Sequence, residues 1–368
     1  MNTRAGLDAR EIDCHAFTLR TPTANGEAHD GTLQTTLSRL KGHCCLSAIR
    51  ATNPMLSGTA QLGTCAEMRL HVHCFPNPGM LLVGEQGIFP NLFASSTVHE
   101  RAAMKRPRVL VLTGYGINCE RETAHAFNLP CIGGDAELLH VSDLIAQPQQ
   151  LDSFHILALP GGFAFGDDIS AGIVLAAKLR YRLEEPLSKF LHDGKLVIGI
   201  CNGFQALVRL GLLPAASGQP WRQEATLTAN DSGKFEDRWV YLQVNPACPS
   251  PFVQGLDQCY LPIRHGEGKF VPRDAEVLSR LQVNQQIAAR YCAPEGAAAA
   301  YPWNPNGSVD DIAAVCDPSG RIFGLMPHPE AYVHRVQHPR WTRESLPEEG
   351  AGLQIFRNAV SFARTHVM

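Results

Sequence analysis

Long apolar runs are missing from this sequence: nowhere do about eighteen uncharged apolar residues follow one another, so no helix in it is expected to span a membrane. Charge of one sign is scarce as well. A formal net charge of −3 over 368 residues provides no long-range pull toward nucleic acid or an anionic bilayer, and neither is expected as a partner. The opening MNTRAGLDAREIDCHAF holds acidic residues and no apolar centre, and does not read as a secretory signal. None of the 12 cysteines forms a C-x-x-C pair, so the expectation is reduced thiols in a cytoplasm rather than a disulfide framework. No glycine-rich run ends in Gly-Lys-Ser/Thr, which excludes a P-loop, and no internal repeat is found. What is present is a globular composition, 45% hydrophobic, long enough for one large domain or two ordinary ones.

Residues 1–103 differ from the rest. They mix Thr, Ser, Gly and Pro with Cys14, Cys44, Cys45, Cys65 and Cys74, and sustain neither a helical nor an alternating period. They are expected to be a disordered extension or the product of a start codon set too early, with the folded protein beginning near Met104. His43, Cys44, Cys45, His71, His73 and Cys74 could be imagined around zinc, but their spacing matches no standard ligand set, and no metal is expected.

From Lys105 the pattern changes. RPRVLVLTGYG reads as a first buried strand ending in a glycine turn, and CERETAHAFN as the helix after it. AELLHVS (136–142) and FHILALPGG (154–162) read as strands, residues 173–191 as a helix interrupted near Pro186, and LVIGI as a further strand. Alternation of this kind predicts an α/β fold with an open, mostly parallel sheet and helices on both faces. EATLTAND, RWVYLQV, QCYLPIRHGEG, QIAARY, DIAAVCD and RIFGLMPH are further strand-like runs expected to add antiparallel strands, and GLQIFRNAVSFARTH closes the chain as an amphipathic helix.

Three motifs fall at the carboxyl ends of predicted strands, where open α/β sheets gather ligands. In GICNG, Cys201 sits between Gly199 and Gly203 at a strand-to-helix turn. This is the cysteine counterpart of a nucleophile elbow, with a helix N-terminus to favour a thiolate. A buried cysteine acting as a small hydrophobe is the plain alternative, and the elbow context argues against it. In PGGFAFGDD, Gly161 and Gly162 can leave backbone N–H groups free for a developing oxyanion, although such a run also serves as a mere turn. In GLMPHPE, prolines on either side fix His328, and Glu330 can accept the second ring N–H; alone, such a pair is common on surfaces. Together the motifs describe a Cys-His-Glu triad whose members only folding can assemble. The segment AYVHRVQHPRWTRE (331–344) reads as an exposed loop that is also a candidate partner contact.

With GYGINCERET, PGGFAFGDD, GICNGFQ, RHGEGKF (264–270), NPNGS (304–308) and GLMPHPE in this order, residues 104–368 resemble the glutaminase subunits of phosphoribosylformylglycinamidine synthase, a family of class I, triad-type glutamine amidotransferases. The resemblance implies hydrolysis of glutamine to glutamate and ammonia. It implies Cys201, His328 and Glu330 as catalytic residues, and Gly161, Gly162, Phe163, Asn202 and Gln205 as the substrate-binding and oxyanion set. His265 and Glu267 would lie at the glutamine site or a subunit interface, unless RHGEG is only a hairpin. Ammonia would pass to a large synthetase subunit, with or without a small bridging subunit. That partner would use ATP and magnesium to make formylglycinamidine ribonucleotide in purine biosynthesis, while this chain would carry no cofactor. Ala331 stands where the family pattern leads one to expect Arg, and Ile169 and Ser170 replace the usual aromatic and basic residues. Two alternatives stand beside this reading: a stand-alone cysteine hydrolase, which PHPE argues against, and a regulatory relative binding glutamine without turnover, which the intact triad disfavours.

Overall fold

A computed structural model describes residues 105–294 and 299–368; upstream, only the backbone of six strand runs between Phe17 and Val83 is described. The cysteine and histidine cluster of residues 43–74 and the reading of residues 1–103 as a disordered extension or mis-set start therefore lie outside the described side chains. Contacts divide the chain into Met1–Ala103 and Met104–Met368. The second unit is built on a nine-stranded mixed sheet.

One half of that sheet is parallel. Strands β1 (Arg108–Thr113), β2 (Asp135–His140), β3 (Ile156–Leu159) and β4 (Leu196–Ile200) are joined by helices α1 (Glu120–Asn128), α2 (Val141–Ala146) and α3 (Ile173–His192), with α4 (Asn202–Leu210) following β4. Val109, Leu110 and Val111 of β1, Ile156 and Ala158 of β3 and all of β4 are buried. Strands apolar at every position can only lie in a sheet covered on both faces. β1 pairs with β2 on one side and β3 on the other, and β3 with β4, all parallel. The order thus reverses between β1 and β3. Right-handed crossovers running in opposite directions place α1 and α3 on opposite faces, and a crevice opens above the carboxyl ends.

The second half is antiparallel, as the sequence pattern implies, with two refinements. β5 (Ala225–Thr228) and β8 (Lys269–Pro272) leave the main sheet and form a two-stranded ladder of their own. Next, β6 (Glu236–Val244), β7 (Gln258–His265), β9 (Ile287–Cys292) and β10 (Ile312–Cys316) complete the sheet in the order β7-β6-β9-β10-β11, where β11 (Ile322–Leu325) is antiparallel to β10 but parallel to β4. Between β8 and β9 lies α5 (Ala275–Val283), and α6 (Leu353–His366) ends the chain, docking Phe356 edge-on against Phe127 of α1 at 4.9 Å.

α3 is not interrupted. It runs through Pro186, burying Leu175, Leu179, Leu183, Leu187 and Phe190 on one stripe. An interior proline costs about 3 kcal/mol, whereas each buried leucine or phenylalanine contributes about 1.5–3 kcal/mol, so the stripe wins. The carbonyl that Pro186 deprives of a donor belongs to Arg182, which is exposed, so water can serve it. Among the described residues no helix is long and apolar enough to cross a membrane.

Candidate active site

The site begins with a close approach of backbone to backbone. A Cβ on Gly203 would fall 1.9 Å from the Leu159 carbonyl oxygen, and one on Gly199 would fall 2.6 Å from Leu207 Cδ1. Only glycine at both positions lets α4 rise directly from the end of β4 against β3. The turn this forces holds Cys201 at φ 49° and ψ −105°, a conformation L-residues avoid. Its backbone is pinned: Cys201 N–H donates to the Leu325 carbonyl at 2.8 Å, and its own carbonyl accepts from Gln205 N–H at 3.0 Å. The thiol is 4% exposed and points to the Arg264 carbonyl of β7 at 3.6 Å.

β11 lies beside β4, so the turn after it carries His328 to the same edge of the sheet. Its N–H donates to Pro262 O of β7 at 2.8 Å. The ring is buried, with Nδ1 2.6 Å from Glu330 Oε1. Burial disfavours charge on this imidazole, but the Glu330 carboxylate and the neighbouring Cys201 outweigh it, and its pKa is raised well above the usual value. Nε2, the nitrogen Glu330 does not use, is buried without a partner among the described residues. The cysteine, the histidine and the carboxylate singled out in the sequence are thus brought together at the ends of two adjacent parallel strands.

Sequence reading missed Cys119 here, although it stands inside the quoted GYGINCERET. Its sulfur is 3.9 Å from His328 Nδ1, and a Cβ on Gly161 would collide with the His328 ring at 2.6 Å and touch Cys119 Sγ at 3.4 Å. The sulfur, Nδ1 and the Glu330 carboxylate lie within 4.8 Å of one another. At 2.6 Å the nitrogen and oxygen share a proton; two ligands of one zinc, each about 2.0–2.2 Å from the metal, would stand further apart.

The remaining predicted residues line or support a cavity of about 190 Å³. Gly162, Phe163, Cys201, Gln205, His265 and Glu267 all face it. Gly162 adopts φ 150°, and a Cβ there would meet the Gly116 carbonyl at 2.5 Å. The Phe163 N–H is already committed to Gly116 O at 2.7 Å, so it is unavailable to an oxyanion, whereas no bond from Gly162 N–H is found among the described residues. Asn202 N–H, at the first position of α4, is one of the donors that a helix leaves unpaired at its N-terminus. The Asn202 side chain serves the loop instead. Its Oδ1 accepts from Ala164 N–H at 3.0 Å, and Nδ2 donates to Asp167 at 2.8 Å and Gln205 at 2.9 Å. It staples the glycine-rich loop to α4. Gln205 Nε2 in turn donates to the Glu267 carbonyl at 2.6 Å.

Glu267 binds the loop instead of the hinge of a simple hairpin. Its carboxylate accepts from Ser170 Oγ at 2.9 Å and from Ala171 N–H at 3.3 Å, while Arg209 donates to the same hydroxyl at 2.7 Å. Ser170, one of the departures from the family pattern, is therefore held in place by its neighbours. Ile169, the other, is 89% exposed at φ 73°. Ala331 closes a short turn after Pro329, its N–H donating to His328 O at 3.3 Å. The segment 331–344 is not simply an exposed loop: Tyr332, Val333 and His338 are buried, and Tyr332 and His338 pack on Trp239 of β6 at 5.2 and 5.4 Å. Aromatic area removed from water explains this.

A cysteine elbow on a part-parallel sheet, with a histidine and a carboxylate at the next strand end, defines an α/β class of nucleophile-bearing proteins. Residues 106–363 match the CobB/CobQ-like glutamine amidotransferase domain, and the chain belongs to that family. It is similar to the phosphoribosylformylglycinamidine synthase subunit PurQ of Dehalococcoides mccartyi, 48% identical over 71% of this chain and 99% of that one. It is also similar to PurQ of Methanococcus maripaludis, 41% identical over 70% of this chain and 98% of that one. The solved structure of PurLQS from Thermotoga maritima aligns with a TM-score of 0.53 at 30% identity, covering 70% of this chain and 99% of that chain.

Proposed function

We propose that this chain is the glutaminase subunit of a phosphoribosylformylglycinamidine synthase, that its active unit begins near Met104, and that Cys201, His328 and Glu330 are its catalytic triad. The observation that carries the reading is the strained Cys201 elbow at the end of β4 beside the buried His328–Glu330 pair at the end of β11. Relatives named as PurQ subunits match over nearly their whole length, and each is a subunit of a larger synthase by name.

The chemistry follows from the groups present. The thiol leaves the Arg264 carbonyl and transfers its proton to His328 Nε2, which Glu330 keeps basic from the other side of the ring. The thiolate adds to the carboxamide carbon of glutamine, and the oxyanion receives the N–H groups of Gly162 and Asn202. Collapse breaks the C–N bond as His328 returns its proton to the departing nitrogen, releasing ammonia and leaving a glutamyl thioester. Water gives a proton to His328 Nε2 as it attacks the thioester, and glutamate departs as that proton passes to the sulfur and restores the thiol. Ammonia passes to the large synthetase subunit, where ATP and magnesium do their work. The free cysteines of the described residues fit a cytoplasmic setting.

Glutamine hydrolysis measured with and without the purified synthetase tests this. Stimulation by the synthetase is expected. High partner-independent activity on other amides or esters would instead identify a stand-alone hydrolase, and binding without turnover a regulatory subunit.

A further inference from the structure

One buried histidine of the cavity has no part in the triad. His265, at the end of β7, is 2% exposed and lines the cavity with Cys201. Its Nδ1 lies 3.2 Å from Asn230 Oδ1. The orientation of that amide is settled by its other bonds: Asn230 Nδ2 donates to Lys234 O and to His265 O, both at 2.8 Å, and Oδ1 also accepts from Gly268 N–H at 2.9 Å. An oxygen facing Nδ1 requires the ring proton to sit there. Nε2 is then a bare lone pair, buried and without a partner among the described residues. Gly268 lies against the ring, where a Cβ would fall 2.1 Å from Cε1, and the Asn230 bond holds the imidazole in this orientation. Burial, reinforced by the charge on His328, lowers its pKa to about 3, and it stays neutral at any physiological pH.

A buried acceptor with no donor is destabilising, and proteins retain such a group where a ligand completes it. We infer that His265 Nε2 accepts a hydrogen bond from the carboxamide N–H of bound glutamine and thereby tells glutamine from glutamate. This rests on the cavity beside Cys201 being the glutamine site. The chemistry of the two ligands makes the distinction. The carboxamide presents two N–H donors, whereas the ionised product presents only oxygens, and a fixed lone pair attracts the first and repels the second. Neighbouring acceptors already have donors: the Glu267 carboxylate accepts from Ser170 and Ala171, and Gln205 Oε1 accepts from Asn202 Nδ2 at 2.9 Å. The same contact hastens product release, because hydrolysis exchanges a donor for an acceptor opposite the lone pair.

The test uses the complex with its synthetase and two variants, His265→Leu, which removes the acceptor, and His265→Asn, whose Oδ1 can replace it. Two rates are compared: glutamine hydrolysis, and alkylation of Cys201 by a glutamine analogue in which a diazoketone replaces the carboxamide and which has no amide N–H. Expected for His265→Leu is a fall of about 10- to 100-fold in kcat/KM for glutamine, with alkylation changed less than about 3-fold. Inhibition by glutamate should strengthen relative to glutamine binding, and His265→Asn should recover most of the turnover. Glutamine turnover and alkylation falling together in both variants would show that the ring only shapes the cavity, and unchanged turnover would show that it does not read the amide; either overturns the inference. Failure of the unsubstituted protein to be alkylated at Cys201 would sink the glutaminase reading itself, and this inference with it.

Discussion

Two histidines in this site are driven in opposite directions by their surroundings. His328 has a carboxylate 2.6 Å away and its pKa is raised, whereas His265 has a neutral amide as its partner and its pKa is lowered to about 3. The pH dependence of stability follows with opposite sign. An unfolded histidine takes up a proton below about pH 6.5. Folded His265 does not until about pH 3, so between those values the unfolded state binds more protons and stability falls as the solution is acidified. His265→Asn should flatten that acid limb by up to about 1.4 kcal/mol per pH unit, measured by denaturant unfolding from pH 6.5 to 4. An unchanged slope would mean that the ring is protonated in the native state. His328 contributes the reverse: stability present below about pH 6.5 and lost as pH rises through its elevated folded value. For catalysis, Cys201→Ala should abolish glutamine-dependent synthesis by the complex and spare ammonia-dependent synthesis, since only amide cleavage needs the sulfur. Loss of both would refute its role. His328→Ala should cost about 10²- to 10⁴-fold in glutamine turnover, and Glu330→Gln less, because the base survives and only its orientation and counter-charge are lost.

Among elements, the strand-to-helix turns hold the strain. Gly203 sits where a Cβ would lie 1.9 Å from a main-chain oxygen, and neither atom can move without separating α4 from β3. Gly203→Ala is therefore expected to destabilise the domain by several kcal/mol, at the severe end for single substitutions, and a melting temperature within a few degrees of the parent would contradict it. The glycine-rich loop offers the converse. Ile169 is β-branched, solvent-exposed and at φ 73°, with nothing gained from its side chain in this chain alone. Ile169→Gly should stabilise by about 1 kcal/mol, raising Tm by about 2–4 °C in a domain of this size. At this scale the sequence pattern was most readable where burial is two-sided: β1, β3 and β4 are apolar at nearly every position and can be nothing else. It failed at Pro186, where a local breaker is overruled by an apolar stripe whose strength depends on what it packs against. It failed again at residues 331–344, whose aromatic residues look exposed until Trp239 and Tyr260 are placed beneath them.

For the whole molecule, the family match spans residues 106–363, and about 70% of the chain suffices to cover nearly the whole length of the PurQ relatives. Removing residues 1–103 is accordingly expected to leave synthetase-stimulated glutamine hydrolysis within about 3-fold of the full chain. Loss of solubility or activity on truncation, read by size-exclusion chromatography and turnover, would show that the upstream segment belongs to the working protein.

The elbow, the glycine-rich loop and the histidine-carboxylate pair were legible in the amino-acid sequence because each is a local arrangement: glycines where the chain must bend, prolines where a ring must be aimed, an apolar strand before each. What needed the tertiary structure was every relation between residues distant in sequence. That the turn after β11 meets the turn after β4 depends on strand order, and that Cys119 touches His328 depends on the β1 turn reaching across β3. The protonation of His265 is of the same kind, since an imidazole is charged or neutral according to which groups surround it, and Asn230 reaches it only through the fold.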